Sequence, residues 1–250
     1  MTTKRALITG ASSGIGRSFA VQLANEGYQI TAVARTEAKL KDLVSVLGEG
    51  HSYRVVDLSV DSGVEAVMQE LKSTHYDLLV NNAGLGVKGT FFDAPLAPLQ
   101  RMLDINVKAL VSLAHAFLGQ AKPGDALINL SSGLAFLPMP SLGLYAATKA
   151  LVTSFSESLW YEQKSRGVYV MGLCPGVTDT EFNRNSGGGD LKVPGAMIQT
   201  ADQVVAKALC ELKARRKPTV LSGKMNGLFA FLARFRSRRS MVSQMGKMEV

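Results

Sequence analysis

The stretch Ala6-Leu7-Ile8-Thr9-Gly10-Ala11-Ser12-Ser13-Gly14-Ile15-Gly16 decides the fold. A short apolar run breaks at Thr9-Gly10, and a segment with helical spacing, Phe19, Val21 and Leu23, begins just beyond the last glycine. Strand, glycine turn and helix in that order make a pocket for phosphate. Glycine lets the backbone come close, and the helix N-terminus offers free N–H groups and a positive dipole end. The spacing is Gly-x-x-x-Gly-x-Gly, which departs from the Gly-x-Gly-x-x-Gly dinucleotide fingerprint. Taken alone, the turn is also compatible with a tight strand-to-helix connection.

The same alternation continues outward. Short β-rich runs recur at Gln29–Val33, Arg54–Val56, Leu78–Val80, Ala126–Leu130, Val168–Leu173 and Thr219–Leu221. Helical segments such as Leu40–Leu43–Val44–Leu47 separate most of them. Strands without apolar/polar alternation, joined through helices, predict a mostly parallel seven-stranded sheet with helices on both faces. That is a single Rossmann-type doubly wound α/β domain over 1–223, followed by a basic, amphipathic helical extension over 224–250. No linker rich in Pro, Gly or Ser divides the chain. Asn183–Gln199, with Gly187-Gly188-Gly189 inside it, reads as a mobile substrate loop before a helix starting near Ala201.

Composition narrows the function. The 250 residues are 46% hydrophobic and 19% charged, with two cysteines, which excludes disorder, collagen and a disulfide-stapled module. No uninterrupted apolar stretch approaches about 18 residues, and the first ten residues lack a secretory apolar core, so a cytoplasmic protein is expected. Cys174 and Cys210 have no ligand-like spacing to each other or to His51, His75 and His115, so no metal site is expected. Gly10-Ala11-Ser12-Ser13-Gly14 also satisfies the Gly-x-Ser-x-Gly hydrolase elbow, but that fold needs a late histidine, and none follows His115.

The net charge of +8 is local. Residues 211–250 hold ten Lys/Arg against two acids, and removing these from 28 and 20 leaves 18 of each sign in the first 210 residues. Any acidic partner therefore concerns the tail alone. Leu228, Phe231, Leu232 and Phe235 share one helical face there, with Arg234 and Arg238 elsewhere around it. Three readings stand for this tail: a cap on the domain or a neighbouring subunit, a peripheral contact with an anionic membrane, or an acidic partner. No base-reading motif accompanies it, so specific nucleic-acid recognition is not expected.

The second strand ends Ala32-Val33-Ala34-Arg35-Thr36. A carboxylate at the Ala34 position would bind the ribose 2′-hydroxyl of NAD. Its absence, with Arg35 beside it, favours a 2′-phosphate, because a guanidinium grips phosphate through two hydrogen bonds. The expected cofactor is NADP(H). Glu37 is the rival, and Thr36-Glu37 reads as the cap and first turn of the next helix.

Tyr145 and Lys149 stand one helical turn apart, thirteen residues after Ser132. With these in place the chain resembles the classical short-chain dehydrogenase/reductase family from about Lys4 to Leu221. The resemblance rests on Thr9-Gly10-x3-Gly14-x-Gly16, Asp57-Leu58, Asn81-Asn82-Ala83-Gly84, Asn106, Ser132, Tyr145-x3-Lys149 and Pro175-Gly176-x3-Thr180. It implies that Gly10, Ser12, Ser13, Gly14, Ile15 and Gly16 hold the pyrophosphate, and that Asp57 and Leu58 lie against the adenine. It further implies that Asn82, Ala83 and Gly84 border the adenosine ribose. Pro175, Gly176, Thr178 and Thr180 would fix the nicotinamide. Tyr145 and Lys149 would serve both cofactor and catalysis, with Ser132 on the carbonyl oxygen and Asn106 holding a relay water. Asn81 is read as a strand-end cap with no binding role. A homodimer or homotetramer is also implied.

The chemistry has its own physical logic. Hydride transfer to a carbonyl builds charge on oxygen, so a proton donor must stand ready. An ammonium about 5 Å from a phenol, at an effective dielectric near 20, favours the phenolate by about 3 kcal/mol, which would bring Tyr145 to a pKa of about 8. Gly133–Leu144 carries no charge, and Leu191, Val193, Met197 and Ile198 are candidates for a lid. An apolar ketone, alcohol or acyl derivative is the expected substrate. Two alternatives remain: a polar or acyl-carrier-bound substrate, and a non-catalytic NADP-binding regulatory or scaffold protein.

Overall fold

Each short apolar run becomes a strand, and helices make the crossovers between them. The computed structural model describes residues 3–188, 195–223, 227, 231 and 235–247. Strands β1 (Arg5–Thr9), β2 (Gln29–Ala34), β3 (Ser52–Val55), β4 (Leu78–Asn81), β5 (Ala126–Leu130), β6 (Tyr169–Cys174) and β9 (Thr219–Leu221) form one sheet, ordered β3-β2-β1-β4-β5-β6-β9. Every pairing is parallel. The order reverses between β1 and β4, and ligands of such sheets bind in the crevice outside the carboxyl ends of the strands there.

The two faces of the sheet carry separate cores. Ala6 and Ile8 pack with Phe19 and Leu23 of α1 (Gly14–Asn25), Leu40 and Leu43 of α2 (Glu37–Leu47), and Val205 and Leu209 of α8 (Ala201–Ala214). Leu7 and Leu79 face Val67 and Leu71 of α3 (Asp61–Ser73), Leu113 and Phe117 of α5 (Leu110–Gln120), and Leu159 of α6 (Gly143–Glu162). Burial on both sides explains why the strands lack alternation. β3 is the exception: it lies at the sheet edge, and Val55 is exposed.

Several features were not legible beforehand. Helix α4 (Leu96–Leu103) runs through a π-helical segment, Asp104–Ala109, into α5. Leu96–Gln120 is thus one helical stretch long and apolar enough to cross a membrane by length and composition, although the interrupted sequence suggested none. More than half of its most apolar window is buried inside the domain. The segment read as a loop, Asn183–Gln199, takes in the end of α7 (Glu181–Asn185) and the first residue of β8 (Gln199–Thr200), which pairs with β7 (Thr178–Asp179). Met197 and Ile198 are half-buried, whereas Leu191 and Val193 lie outside the described residues.

At the amino ends of the central strands β4 and β5, His75, Asp77 and Asp125 bring ligand atoms within 4.8 Å of one another, a juxtaposition their sequence spacing did not suggest. One oxygen of each carboxylate is committed to backbone, with Arg5 N donating to Asp77 and Lys122 N to Asp125, both at 2.7 Å. In the tail, a helix spans Arg238–Lys247. Leu228, Leu232 and Arg234 of the expected apolar-and-basic helix lie outside the described residues, and Phe231 and Phe235 are exposed.

Candidate active site

Strand β1 delivers the glycine turn to the carboxyl edge of the sheet. Gly10 and Gly14 have positive φ, +65° and +53°, conformations that side chains disfavour. A Cβ on Gly16 would collide with the Gly10 carbonyl and the Asn82 amide. The Ser13 side chain makes no capping bond at the start of α1, and no acid occupies its first turn. Its leading N–H groups and dipole therefore suit an anion. Ser12, Ser13 and Ile15 are half-buried around that end.

Thr9, which the sequence reading left outside its binding set, organises the turn. Its hydroxyl oxygen accepts from the backbone N–H groups of Asn82 and Ala83, each at 3.0 Å. Asn82 donates from Nδ2 to the carbonyls of Thr9 and Gly10 at 2.9 and 3.2 Å. The Asn82-Ala83-Gly84 turn is thus laced to the glycine turn, and Gly84 remains exposed beside it. On the far side, the Thr180 methyl would lie 3.1 Å from a Cβ on Gly14, so the Pro175–Thr180 turn closes against the same place. Gly176 accepts at its carbonyl from the Thr178 hydroxyl at 3.0 Å.

The outer end of the groove is charged. Arg35 is exposed and, among the described residues, forms no ion pair. Glu37, the rival for that end, is engaged by Lys41 at 3.0 Å and by the Tyr53 hydroxyl at 3.3 Å. Asp57 accepts at Oδ1 from the Ser59 N–H and hydroxyl, and at Oδ2 from Arg101 at 2.7 Å. Burial pushes its pKa up, but the Ser59 hydrogen bonds and the Arg101 and Arg35 charges prevail and hold it below the usual range. Leu58 is buried beside it. Lys39 and Glu181, 2.7 Å apart, tie the start of α2 to the start of α7. These residues fit a dinucleotide with a 2′-phosphate: a glycine cradle, an uncapped helix end and an unpaired guanidinium.

The expected proton-transfer residues lie deeper. Helix α6 places Tyr145 and Lys149 on its buried face. Lys149 donates from Nζ to the Leu130 carbonyl at 2.8 Å, and Nζ lies 5.7 Å from the Tyr145 ring centroid. Ser132 lies near the Tyr145 hydroxyl, and its own hydroxyl accepts from Leu134 N at 3.1 Å. Phe182 of α7 packs on the Tyr145 ring with centroids 5.6 Å apart. Both Asn106 Oδ1 and Lys149 Nζ lie 3.5 Å from where a Cβ on Gly84 would stand. The expected catalytic four therefore meet at one place.

Asn106 is more constrained than a water ligand needs to be. It is fully buried, and its Oδ1 accepts from Leu85 N at 2.8 Å. Its Nδ2 donates to the Leu85 carbonyl at 2.9 Å and to Thr148 Oγ1 at 3.2 Å. It clamps the 82–85 turn against α6. The π-helical segment presents it, and Asn81 holds the start of α5 just beyond that segment rather than merely ending a strand: its Nδ2 donates to the Leu110 carbonyl at 3.2 Å and to Asn129 Oδ1 at 3.1 Å.

The electrostatic expectation for Tyr145 needs correction. Burial pushes its pKa up to about 12, with Ser132 pulling the other way. Burial also brings Lys149 down to about 8. Both charged forms lose hydration in this pocket, and that loss exceeds the attraction inferred from spacing alone. Near neutral pH Tyr145 is thus a phenol, not a phenolate.

The sequence model of the short chain dehydrogenase family matches residues 4–189. The chain belongs to that family, as its motifs led one to expect. It is 36% identical over 189 residues to the probable oxidoreductase EphD of Mycobacterium tuberculosis. The alignment takes in 72% of this chain and 32% of that protein, so the chain spans about a third of the relative's length. A short-chain dehydrogenase from Sphingobium yanoikuyae, solved with NADPH, superimposes with a TM-score of 0.79 at 27% identity over 94% of this chain and 96% of that one. The bulky-bulky ketone specific alcohol dehydrogenase of Comamonas testosteroni gives a TM-score of 0.81 at 26% identity, over 100% and 98%.

Proposed function

We propose that this protein is an NADP(H)-dependent carbonyl reductase, working in reverse as an alcohol dehydrogenase, on small or medium apolar substrates. The observation that carries the reading is the convergence of buried Tyr145 and Lys149, ring centroid and Nζ 5.7 Å apart, with Lys149 and Asn106 beside the exposed Gly84. A binding or scaffold module has no use for such a set. NADPH, when bound, supplies the hydride.

The chain's own residues do the rest. Ser132 donates a hydrogen bond to the carbonyl oxygen as its charge grows. Tyr145 passes its proton to that oxygen, giving the alcohol. Lys149, anchored to the Leu130 carbonyl, stabilises the phenolate left behind, which takes its proton back from solvent by way of a water held at Asn106. Arg35 selects the 2′-phosphate. Leu85, Val87, Leu134, Leu142 and Leu144 pack around Tyr145 and supply the apolar walls. The NADPH complex of the Sphingobium relative and the ketone specificity of the Comamonas relative agree with this reading. Val111, Leu151 and Tyr161, exposed on α5 and α6, offer apolar surface for a homo-oligomer.

A panel of ketones and alcohols, followed by NADPH absorbance with NADH in parallel, tests the proposal. Oxidation of NADPH by apolar ketones is expected, with NADH poorer. Cofactor binding without turnover on any ketone would favour the scaffold reading instead.

A further inference from the structure

The C-terminal helix Arg238–Lys247 makes a contact that its composition hides. Met241 and Met245 are its buried residues, and they pack on Met139 with Leu134, Leu137 and Leu142 around them. Gly246 lies against the turn Pro140–Leu142, where an added Cβ would stand 3.5 Å from the Pro140 ring. The helix has its own start: the Ser237 hydroxyl accepts from Ser240 N at 3.3 Å, and the Ser237 carbonyl accepts from Met241 N at 3.0 Å. Arg238, Arg239 and Lys247 remain exposed. The basic charge stays in water while the thioethers turn inward.

What they turn toward is the segment joining Ser132 to Tyr145. Leu134 and Leu142 belong to two clusters at once, packing with the methionines on one side and with Tyr145, Leu99 and Met102 on the other. One layer of leucine therefore separates the tail helix from the catalytic phenol. Methionine is unbranched and polarisable, and it fills irregular gaps without one fixed shape.

We propose that the C-terminal helix is a specificity element, a deformable methionine wall behind Leu134 and Leu142 that sets how large an apolar group beside the carbonyl the cleft admits. This inference rests on the carbonyl-reductase reading and adds to it the part of the chain that selects the substrate. Met241 and Met245 act as positioning residues through the two leucines. For this helix it selects the capping reading of the tail over a membrane or an acidic partner.

The test uses the full chain, the variant M241A/M245A, and a chain ending at Ser237 in case the double variant is disturbed beyond the loop. Neither the glycine turn nor the Tyr145 set contains a residue removed, so NADPH affinity is expected to be unchanged. Opening space behind the leucines should raise the kcat/KM ratio of a diaryl ketone over a methyl ketone by about tenfold, the scale of small pocket changes, mainly through KM. Hydrogen exchange of the 133–142 amides should quicken in the same variants. A ratio within twofold of wild type, with exchange unaltered and NADPH still bound, overturns the inference. Wild-type protein that reduces neither ketone instead defeats the underlying reading, and with it this one.

Discussion

The cofactor side and the substrate side of the cleft are held by different forces. Around Gly10, Asn82 and Asn106, placement depends on hydrogen bonds between side chains and backbone, each with a fixed length and direction. Around Leu134, Leu142 and Met139, it depends on uncharged side chains in van der Waals contact. Hydrogen bonds in a buried setting tolerate little displacement, because a lost partner leaves a desolvated polar group. Apolar packing tolerates exchange of shape at roughly constant volume. The rigid side suits a cofactor that must lie one way, and the compliant side suits variable substrates.

The sharpest way to break the rigid side is at its proton donor. Tyr145→Phe keeps the ring and its contact with Phe182, so folding and NADPH affinity should persist, while kcat falls by about a hundredfold to ten-thousandfold. Steady-state turnover with fluorescence titration of NADPH checks both halves.

Next in size is the cost of the buried amine. The Lys149 pKa in the native protein, about 8, lies below its ordinary value, so the unfolded chain binds the extra proton between about pH 8 and 10.5. Stability should therefore rise with pH through that window, by at most about 3 kcal/mol. Tyr145 acts in the opposite sense: its native pKa of about 12 is raised, so its contribution is lost as pH climbs above about 10. Denaturant midpoints against pH should show the first rise in wild type and a flatter curve in Lys149→Met.

Gly16→Ala follows. Its Cβ meets the Gly10 backbone and an Asn82 amide already held by two hydrogen bonds, so stability should fall by about 2 kcal/mol, read as a shifted urea midpoint. The smallest effect is at the exposed rim. Arg35→Ala should raise the KM for NADPH about tenfold and leave that for NADH unchanged, since one charge-assisted contact is lost. An equal change for both cofactors would remove Arg35 from the 2′-phosphate site.

Much of this was readable in advance because it is local. A strand is an apolar run, a phosphate turn is a set of glycines at fixed intervals, and Tyr145 and Lys149 share a face by being four residues apart. The contacts between distant segments were not readable. Arg101 grips Asp57 across 44 positions, and nothing near either residue announces it. Asn81 holds the start of α5 just beyond a π-helical segment whose extra residue per turn has no compositional signature. The tail shows the same limit: its bulky aromatics drew attention, whereas the packed face consists of two methionines among serines, glutamine and arginines.

Sequence by itself determined the parallel sheet, the glycine turn and the family, since these follow from short-range spacing and residue chemistry. Tertiary structure decided the protonation state of Tyr145, the clamp made by Asn106 and the wall behind the substrate segment. Each of those depends on burial or on a neighbour brought from far along the chain. Desolvation is a property of the surroundings, and only the folded chain supplies them.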